Sequence, residues 1–468
     1  MSERVKYLIK NTGILTISNF ASKIMIFLLV PIYTRALTTA EYGIYDLVFS
    51  TIQLLFPLLT LNIVAAVMRF TMDKAYSIDD IAQVGLQHIL MSFLPIAVFL
   101  GICSYSNMFQ QIDGLEWIIF LYFVFFTLNQ FFIQFAKGLE KVKEMGIAGI
   151  LSTVILLTGT ILCLFVLTDG LRGFFIANVS AQAVSCLYFS LKLSIWKYIK
   201  LEKVDGEIRK MMLLYSLPLI FTTLSWWVNN TADRYIVAFI CGAAANGILS
   251  VAYKIPSILN TVQQIFVQAW QISAIKEYGN ENTDEFYGQT FTFVNFVLSI
   301  GCASLIVLSK PLAHLLYAND FFVAWKYVPF LLIASAMNSA SGLIGPILLA
   351  KKDTHSMAKS AIYGAVVNIV LNIALVYLWG IQGAAIATAI SSYVIYAVRK
   401  RAAKDKIVIN DYWKVILTWA ILCVQALVEI WEISYGYGLE IIFIGIILWL
   451  NKDYIVVMKR YLSQLLAR

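Results

Sequence analysis

The sequence predicts an all-α integral membrane protein of about 14 transmembrane helices: two parallel six-helix repeats forming two lobes around a central cavity, plus two C-terminal helices. Three observations carry this expectation. The 468 residues are 60% apolar and 13% charged, against roughly 45–50% and about 25% in an ordinary soluble domain, which excludes a water-soluble globule. The apolar residues fall into runs near the ~20 residues needed to cross hydrocarbon. Segments of the first half also return in the second.

Taken in order, the apolar runs bounded by charge or by Gly/Pro clusters are 11–34, 43–68, 81–103, 117–136, 147–168, 171–192, 213–240, 243–274, 287–308, 327–350, 357–378, 382–398, 415–433 and 439–451. The first follows Arg4, Lys6 and Lys10 as a leader would. Lys23 interrupts it and no small-x-small cleavage site follows, so it reads as an uncleaved span. The interval Lys192 to Lys210 carries nine charged residues and is the natural linker between halves. This gives an N-lobe at 1–198 (spans 1–6), a C-lobe at 199–404 (spans 7–12) and two additional spans within 405–468.

Alternating the loops from a cytoplasmic start places 28 of the 35 Lys and Arg inside, and only Arg35, Arg172, Lys310 and Lys326 outside. That is the bias of membrane topology. Both termini are then cytoplasmic, and the net charge of +8 needs no nucleic-acid partner. The six cysteines (Cys103, Cys163, Cys186, Cys241, Cys302, Cys423) are isolated in apolar runs and read as buried thiols, not as disulfides. His88, His314 and His355 lack ligand spacing, so no metal or other resident cofactor is expected.

Gly170-Leu-Arg-Gly173-Phe-Phe-Ile-Ala177 returns as Gly380-Ile-Gln-Gly383-Ala-Ala-Ile-Ala387, an offset of 210. Ala40-Glu-Tyr-Gly43-Ile returns as Ala244-Ala-Asn-Gly247-Ile, an offset of 204. Six spans per copy preserve orientation, so the copies are parallel, related by an axis along the membrane normal.

Polar side chains in lipid face the bundle interior or a wet cavity, and helical spacing shows which face that is. Span 8 carries Asn246, Ser250, Lys254, Ser257, Thr261, Gln264, Gln268 and Gln271 three or four apart, one continuous helical stripe. Span 7 has Thr222, Ser225, Asn229 and Asp233; span 1 has Thr12, Thr16, Asn19 and Lys23; span 2 has Asp46, Ser50, Gln53 and Thr60. Interhelical hydrogen bonding accounts for isolated Ser and Thr. It is inadequate for Lys23 and Lys254, which lie about 18 Å and about 16 Å into their spans, where a lysine costs about 2.5–3.5 kcal/mol on insertion scales. Water, an acidic partner or an anionic ligand must offset that cost.

Asp46, Asp233 and Arg234 fall nearer the outer end. Adjacent Asp233 and Arg234 cannot share a helix face, so their partners belong on other spans. Three positive groups against two negative favour an anion, particularly a phosphate. Trp226, Trp227 and Trp270 serve either as packing or as flat faces for sugar rings.

The stretch Pro31-Ile-Tyr-Thr-Arg35-Ala-Leu-Thr-Thr-Ala-Glu-Tyr-Gly43-Ile-Tyr, with Asp233-Arg234-Tyr-Ile in the second half, resembles the Wzx-type polysaccharide or O-antigen flippases, the polysaccharide branch of the multidrug/oligosaccharidyl-lipid/polysaccharide exporter superfamily. The resemblance implies a central cavity lined by spans 1, 2, 7 and 8, in a multi-pass protein of the bacterial cytoplasmic (inner) membrane. The implied activity is transfer of a polyprenyl-diphosphate-linked oligosaccharide between leaflets, beside membrane lipid and with polysaccharide polymerase and chain-length proteins as partners. On that reading Lys23 and Lys254 take the diphosphate, Arg35 and Arg234 assist at the outer mouth, and Arg69 attracts the head group at the inner mouth. Asn19, Gln53, Asn229, Gln264 and Gln268 hydrogen-bond the sugars. Asp46 or Asp233 is either a structural counter-charge or a site for a coupling H⁺ or Na⁺.

Three alternatives stay open. A drug–cation antiporter of the same fold needs an acidic cavity, against which Lys23 and Lys254 argue. A peptidoglycan lipid precursor flippase shares the diphosphate. A membrane glycosyltransferase or polymerase needs paired carboxylates on a long outer loop, and the longest candidate, Ser309 to Lys326, carries only Asp320. Without a G-x-x-x-x-G-K-[ST] motif, ATP hydrolysis is not expected. The topology predicts that alkaline phosphatase fused after Gly114 is active in cells and that the same fusion after Lys141 is inactive; the reverse pattern would invert the assignment.

Overall fold

The structure, a computed structural model, describes residues 25, 27–73, 75–106, 110–198, 206–433 and 435–454; Asn19 and Lys23 lie outside them. The α-helices in chain order are α1 (Phe27–Ala36), α2 (Thr39–Leu59), α3 (Ile63–Thr71), α4 (Ile78–Met91), α5 (Phe93–Ser106), α6 (Glu116–Gly138), α7 (Val142–Ile161), α8 (Gly170–Leu193) and α9 (Gly206–Cys241). They continue as α10 (Ala243–Ala252), α11 (Pro256–Glu277), α12 (Thr283–Val307), α13 (Ser309–Leu316), α14 (Val328–Ala350), α15 (Thr354–Trp379), α16 (Ile381–Ala402), α17 (Tyr412–Ile430) and α18 (Gly436–Leu450). Among the described residues there is no strand.

Among the described residues eleven helical segments are long and apolar enough to cross a membrane, and α1, α10 and α18 are shorter apolar helices. Within the described residues the expected spans coincide with helices, so the all-α membrane fold is borne out; most of span 1 lies outside them. Spans 2, 3 and 8 are each divided between two helices.

The chain packs as two compact units, Met1–Val228 and Asn229–Arg468, with the division inside α9. In the first unit Phe123, Phe131 and Phe135 of α6 are fully buried and meet Val67 of α3, Ile81 of α4 and Phe175 and Phe189 of α8. Polar side chains join α6 to α8, where Asn129 donates to Gln182 and Ser185 donates to Asn129 (2.8 Å), and α2 to α8, where Tyr45 donates to Asn178 (2.9 Å).

The Pro31–Tyr45 stretch is a structural joint. Thr38 and Glu41 form a reciprocal cap, with Glu41 N–H donating to Thr38 Oγ1 (3.2 Å) and Thr38 N–H to Glu41 Oε2 (2.8 Å). Such a cap contributes about 1 kcal/mol and fixes where α2 begins. Tyr33 stacks on Tyr42 with centroids 4.5 Å apart, and Tyr45 sets its ring against Phe174 of α8.

In the second unit α14 is the most enclosed of the spans. Its small residues, Ala334, Ser335, Ala336, Ser339, Ala340 and Ser341, are all buried and admit neighbouring helices closely. Trp270 is also buried and donates to the Leu343 carbonyl at 2.8 Å, so it is a packing residue. On α15 the buried positions Ser360, Gly364, Asn368, Asn372 and Val376 recur every four residues, while Ile362, Val366, Val370, Ile373 and Tyr377 are exposed. This helix is polar inward and apolar outward, as lipid demands and water does not.

The repeated Gly-x-x-Gly occupies equivalent places. Gly170 and Gly380 open α8 and α16 with φ of +49° and +58°, values that L side chains rarely adopt. Gly173 and Gly383, three residues on, lie against the preceding helix: a Cβ at Gly173 would stand 2.9 Å from Cys163 Cβ, and at Gly383 2.0 Å from the Leu375 carbonyl oxygen. The two copies thus solve one turn in the same way, which a duplication explains.

The cysteine expectation needs one correction. Cys103, Cys163, Cys186 and Cys302 are buried, but Cys241 is exposed and Cys423 intermediate, because Cys241 is the last residue of α9 before Gly242 turns the chain. All six are free thiols, and among the described residues no cluster of His, Cys, Asp and Glu could hold a metal.

Substituting Gly383→Ala is expected to destabilise the purified protein by about 1–3 kcal/mol, read as a lower apparent melting midpoint in detergent. Gly101→Ala, whose Cβ meets nothing within 4 Å, should leave that midpoint unchanged or raised.

Candidate functional site

Span 8 was expected as one helix, and Pro256 divides it. Proline has no N–H to give the carbonyl four residues back and is well placed in the first turn of a helix. α10 therefore stops at Ala252, Tyr253 to Ile255 form a turn, and α11 starts at Pro256. Lys254 sits in that turn, half-buried, its N–H on the Val251 carbonyl at 2.9 Å.

The turn also aims Tyr253 at α9. Its hydroxyl donates to Asp233 Oδ2 in a very short hydrogen bond, and Arg234 Cζ lies 5.8 Å from the centre of its ring. Thr388 of α16 reaches the same hydroxyl. Asp233 is 4% exposed, and its other oxygen, Oδ1, accepts the Arg234 backbone N–H at 2.9 Å. The adjacent acid and base, which point different ways on their own helix, thus both meet one tyrosine from another span. Sequence reasoning singled out Asp233, Arg234 and Lys254 and missed Tyr253 and Thr388. The proline three residues after Tyr253 was the available signal.

Asn229 lies one turn before Asp233 on α9, half-buried. The stripe of span 8 does not keep one environment: Asn246 and Ser250 are buried, Lys254 is intermediate, and Gln264 and Gln268 are exposed. At ~1.5 Å per residue the two glutamines lie about 15 Å and about 21 Å along the chain direction from Lys254. They belong to an open helix face and not to the Asp233–Tyr253 cluster.

In the first unit Asp46 and Gln53 stand two turns apart on α2, Asp46 buried and Gln53 intermediate. Beyond them the chain breaks at Leu61 and Asn62, both with positive φ, so span 2 is discontinuous as span 8 is. The amino-terminal part of α9 is tied to this region: Trp227 Nε1 donates to the Ser50 carbonyl at 3.0 Å, while Trp226 is 62% exposed. Arg35 is exposed near the end of α1. Arg69 closes α3 and pairs with Asp73 at 3.7 Å, both side chains exposed, a pair worth at most about 1 kcal/mol.

Tyr253→Phe removes the phenol donor from a buried carboxylate, a change expected to cost about 1–3 kcal/mol. Melting midpoints should show this loss largely cancelled in the double variant Tyr253→Phe, Asp233→Asn; additive losses would contradict the pairing.

The family described as "Polysaccharide biosynthesis protein" matches residues 8–272, and the family described as "MatE" matches 218–374. A probable low-salt glycan biosynthesis flippase of Haloferax volcanii is 21% identical over 313 residues, covering 65% of this chain. The matched region spans 64% of that relative's length. Among solved structures, a lipid II flippase MurJ in an inward closed conformation superposes with a TM-score of 0.71 at 16% identity, covering 96% of this chain and 99% of that one. An inward-facing multidrug resistance MATE family transporter of the MOP superfamily gives 0.62 at 15% identity, covering 84% and 94%. At these identities the likeness establishes the fold alone, an all-helical arrangement shared with these two transporters. The family match covers more than half of the sequence, and the chain is a member of the polysaccharide biosynthesis protein family.

Proposed function

We propose that this protein is a flippase that moves a polyprenyl-diphosphate-linked oligosaccharide repeat unit from the inner to the outer leaflet of the bacterial cytoplasmic membrane, for surface polysaccharide or O-antigen assembly. The observation that carries the reading is Lys254, half-buried in the interruption of a span, beside the Asp233–Tyr253–Arg234 cluster. Transporters commonly bind substrate where spanning helices are discontinuous near the midplane. A lysine at that depth costs about 2.5–3.5 kcal/mol, which an anionic ligand and water offset.

In this reading the lobes 1–198 and 199–404 alternate in access around a cationic central cavity, and both termini are cytoplasmic. Lys23 and Lys254 hold the diphosphate. Arg35 and Arg234 receive it at the outer mouth, and Arg69 collects the head group at the inner mouth. Asn19, Gln53, Asn229, Gln264 and Gln268 bind sugar hydroxyls, and the polyprenyl tail stays in lipid. Asp46 or Asp233 takes a coupling H⁺ or Na⁺. Polymerase and chain-length proteins receive the product. The family description and the glycan flippase relative support this class of substrate.

A second reading, flipping of a peptidoglycan lipid precursor, is favoured by the likeness to a lipid II flippase and uses the same diphosphate chemistry. Rescue of cells depleted of their peptidoglycan precursor flippase would select it. A cation-exporting drug antiporter predicts efflux of organic cations from vesicles, and the basic residues at depth weigh against it.

The test is replacement of the two lysines in the native bacterium. Lys254→Ala and Lys23→Ala should each reduce surface polysaccharide at least tenfold at unchanged membrane abundance, with lipid-linked repeat unit accumulating inside. Lys254→Arg should retain partial export. Normal export by the double alanine variant would refute the assignment.

A further inference from the structure

The most unusual buried group outside the cluster described above is in the last two helices. Glu440 of α18 is fully buried, and among the described residues neither of its carboxyl oxygens has a hydrogen-bond donor. Its carboxyl lies within hydrogen-bonding reach of Glu429 of α17, itself 7% exposed. A carboxylate only accepts hydrogen bonds, and two like charges this close in a dry site do not both ionise.

Among the described residues no cation forms an ion pair with Glu429 or Glu440, although Lys310 faces Glu429 across the cavity. Ser309, the first residue of α13, donates to Glu429 Oε1 at 3.0 Å. Lys310 is engaged with Glu432 and lies 4.9 Å over the Trp325 ring. Lys326 also faces Glu432, and Tyr437 of α18 faces both glutamates. Cys302 of α12 and Cys423 of α17 face one another, and α14 carries no ionisable residue. One turn from Glu429 on the same face of α17, the fully buried Gln425 gives its amide N–H to the Ala303 carbonyl (3.0 Å) and keeps an unpartnered oxygen, Oε1. A cavity of about 430 Å³ lined by Lys310, Glu429, Glu432 and Tyr437 opens onto Glu429, with Glu440 buried behind it.

We propose that Glu429 and Glu440 form a proton-binding site in the C-terminal helix pair, holding one shared proton exchanged through the cavity at the α17–α18 turn. With the proton in place the two carboxyls are joined by a hydrogen bond that ties α18 to α17. Without it two negative charges face each other in a buried seam, and the helices separate at that end. The site needs no substrate, so it stands or falls independently of the flippase reading.

Infrared difference spectroscopy of the full-length protein in lipid nanodiscs tests this directly. Over a pH series in choline chloride, the wild type should show a protonated-carboxyl stretch that titrates as one proton and is unchanged by added NaCl. Glu440→Gln and Glu429→Gln should each abolish the band. The apparent melting midpoint of the wild type should drop across the same pH range, a drop that either variant flattens. Absence of the band in folded wild type, its persistence in both variants, or its displacement by Na⁺ at constant pH would overturn the proposal. The wild-type arms decide the matter if a variant does not fold.

Discussion

Hydrocarbon offers a polar group nothing to bond to, and this one constraint organises the chain. Backbone amides are satisfied within their own helix, and polar side chains are turned toward another helix, a wet cavity or their own helix's carbonyls. The inverted pattern of α15, with Ser360, Asn368 and Asn372 inward and Ile362, Val366 and Val370 outward, is the direct expression of it. So is the Asn129–Gln182–Ser185 network that joins α6 to α8. Packing of small residues along α14 then replaces the hydrophobic drive that lipid cannot supply.

Departures from the rule lie at breaks in the spans. Spans 2 and 8 are both interrupted, at Leu61–Asn62 and at Tyr253–Ile255. In the second case the interruption brings a phenol, a carboxylate, a guanidinium and an ammonium into one neighbourhood. Tyr253 is the hinge of this arrangement, since it satisfies Asp233 and lies beneath Arg234 while its chain neighbour is Lys254. A packed structural role would be served more cheaply by apolar residues, which is the physical ground of the charged ligand we propose there.

Much of this was legible in sequence, for physical reasons that differ by element. Apolar runs map onto helices because crossing length is fixed by the bilayer, and the Gly-x-x-Gly repeat is visible because a Cβ at its second glycine would clash with the preceding helix. The Pro31–Tyr45 stretch carried the family, and its Thr38–Glu41 cap and Tyr33–Tyr42 stack do structural work that the sequence alone did not reveal. What was not legible depends on breaks and burial. A helical wheel treats span 8 as continuous, so it overlooked Pro256 and grouped exposed Gln264 and Gln268 with buried Asn246 and Ser250. Cys241 looked buried because its neighbours are apolar, yet it ends a helix. Tyr253 carried no charge to draw notice, and Asn19 and Lys23 fall outside the described residues.

The central claim is that an ammonium group within span 8 recognises a diphosphate. Native mass spectrometry of the purified protein with polyprenyl diphosphate and polyprenyl monophosphate measures that recognition without any need for transport. The account predicts a preference for the diphosphate that Lys254→Ala loses and Lys254→Arg largely keeps. Equal retention of both lipids by the wild type, or an undiminished preference in Lys254→Ala, would contradict it.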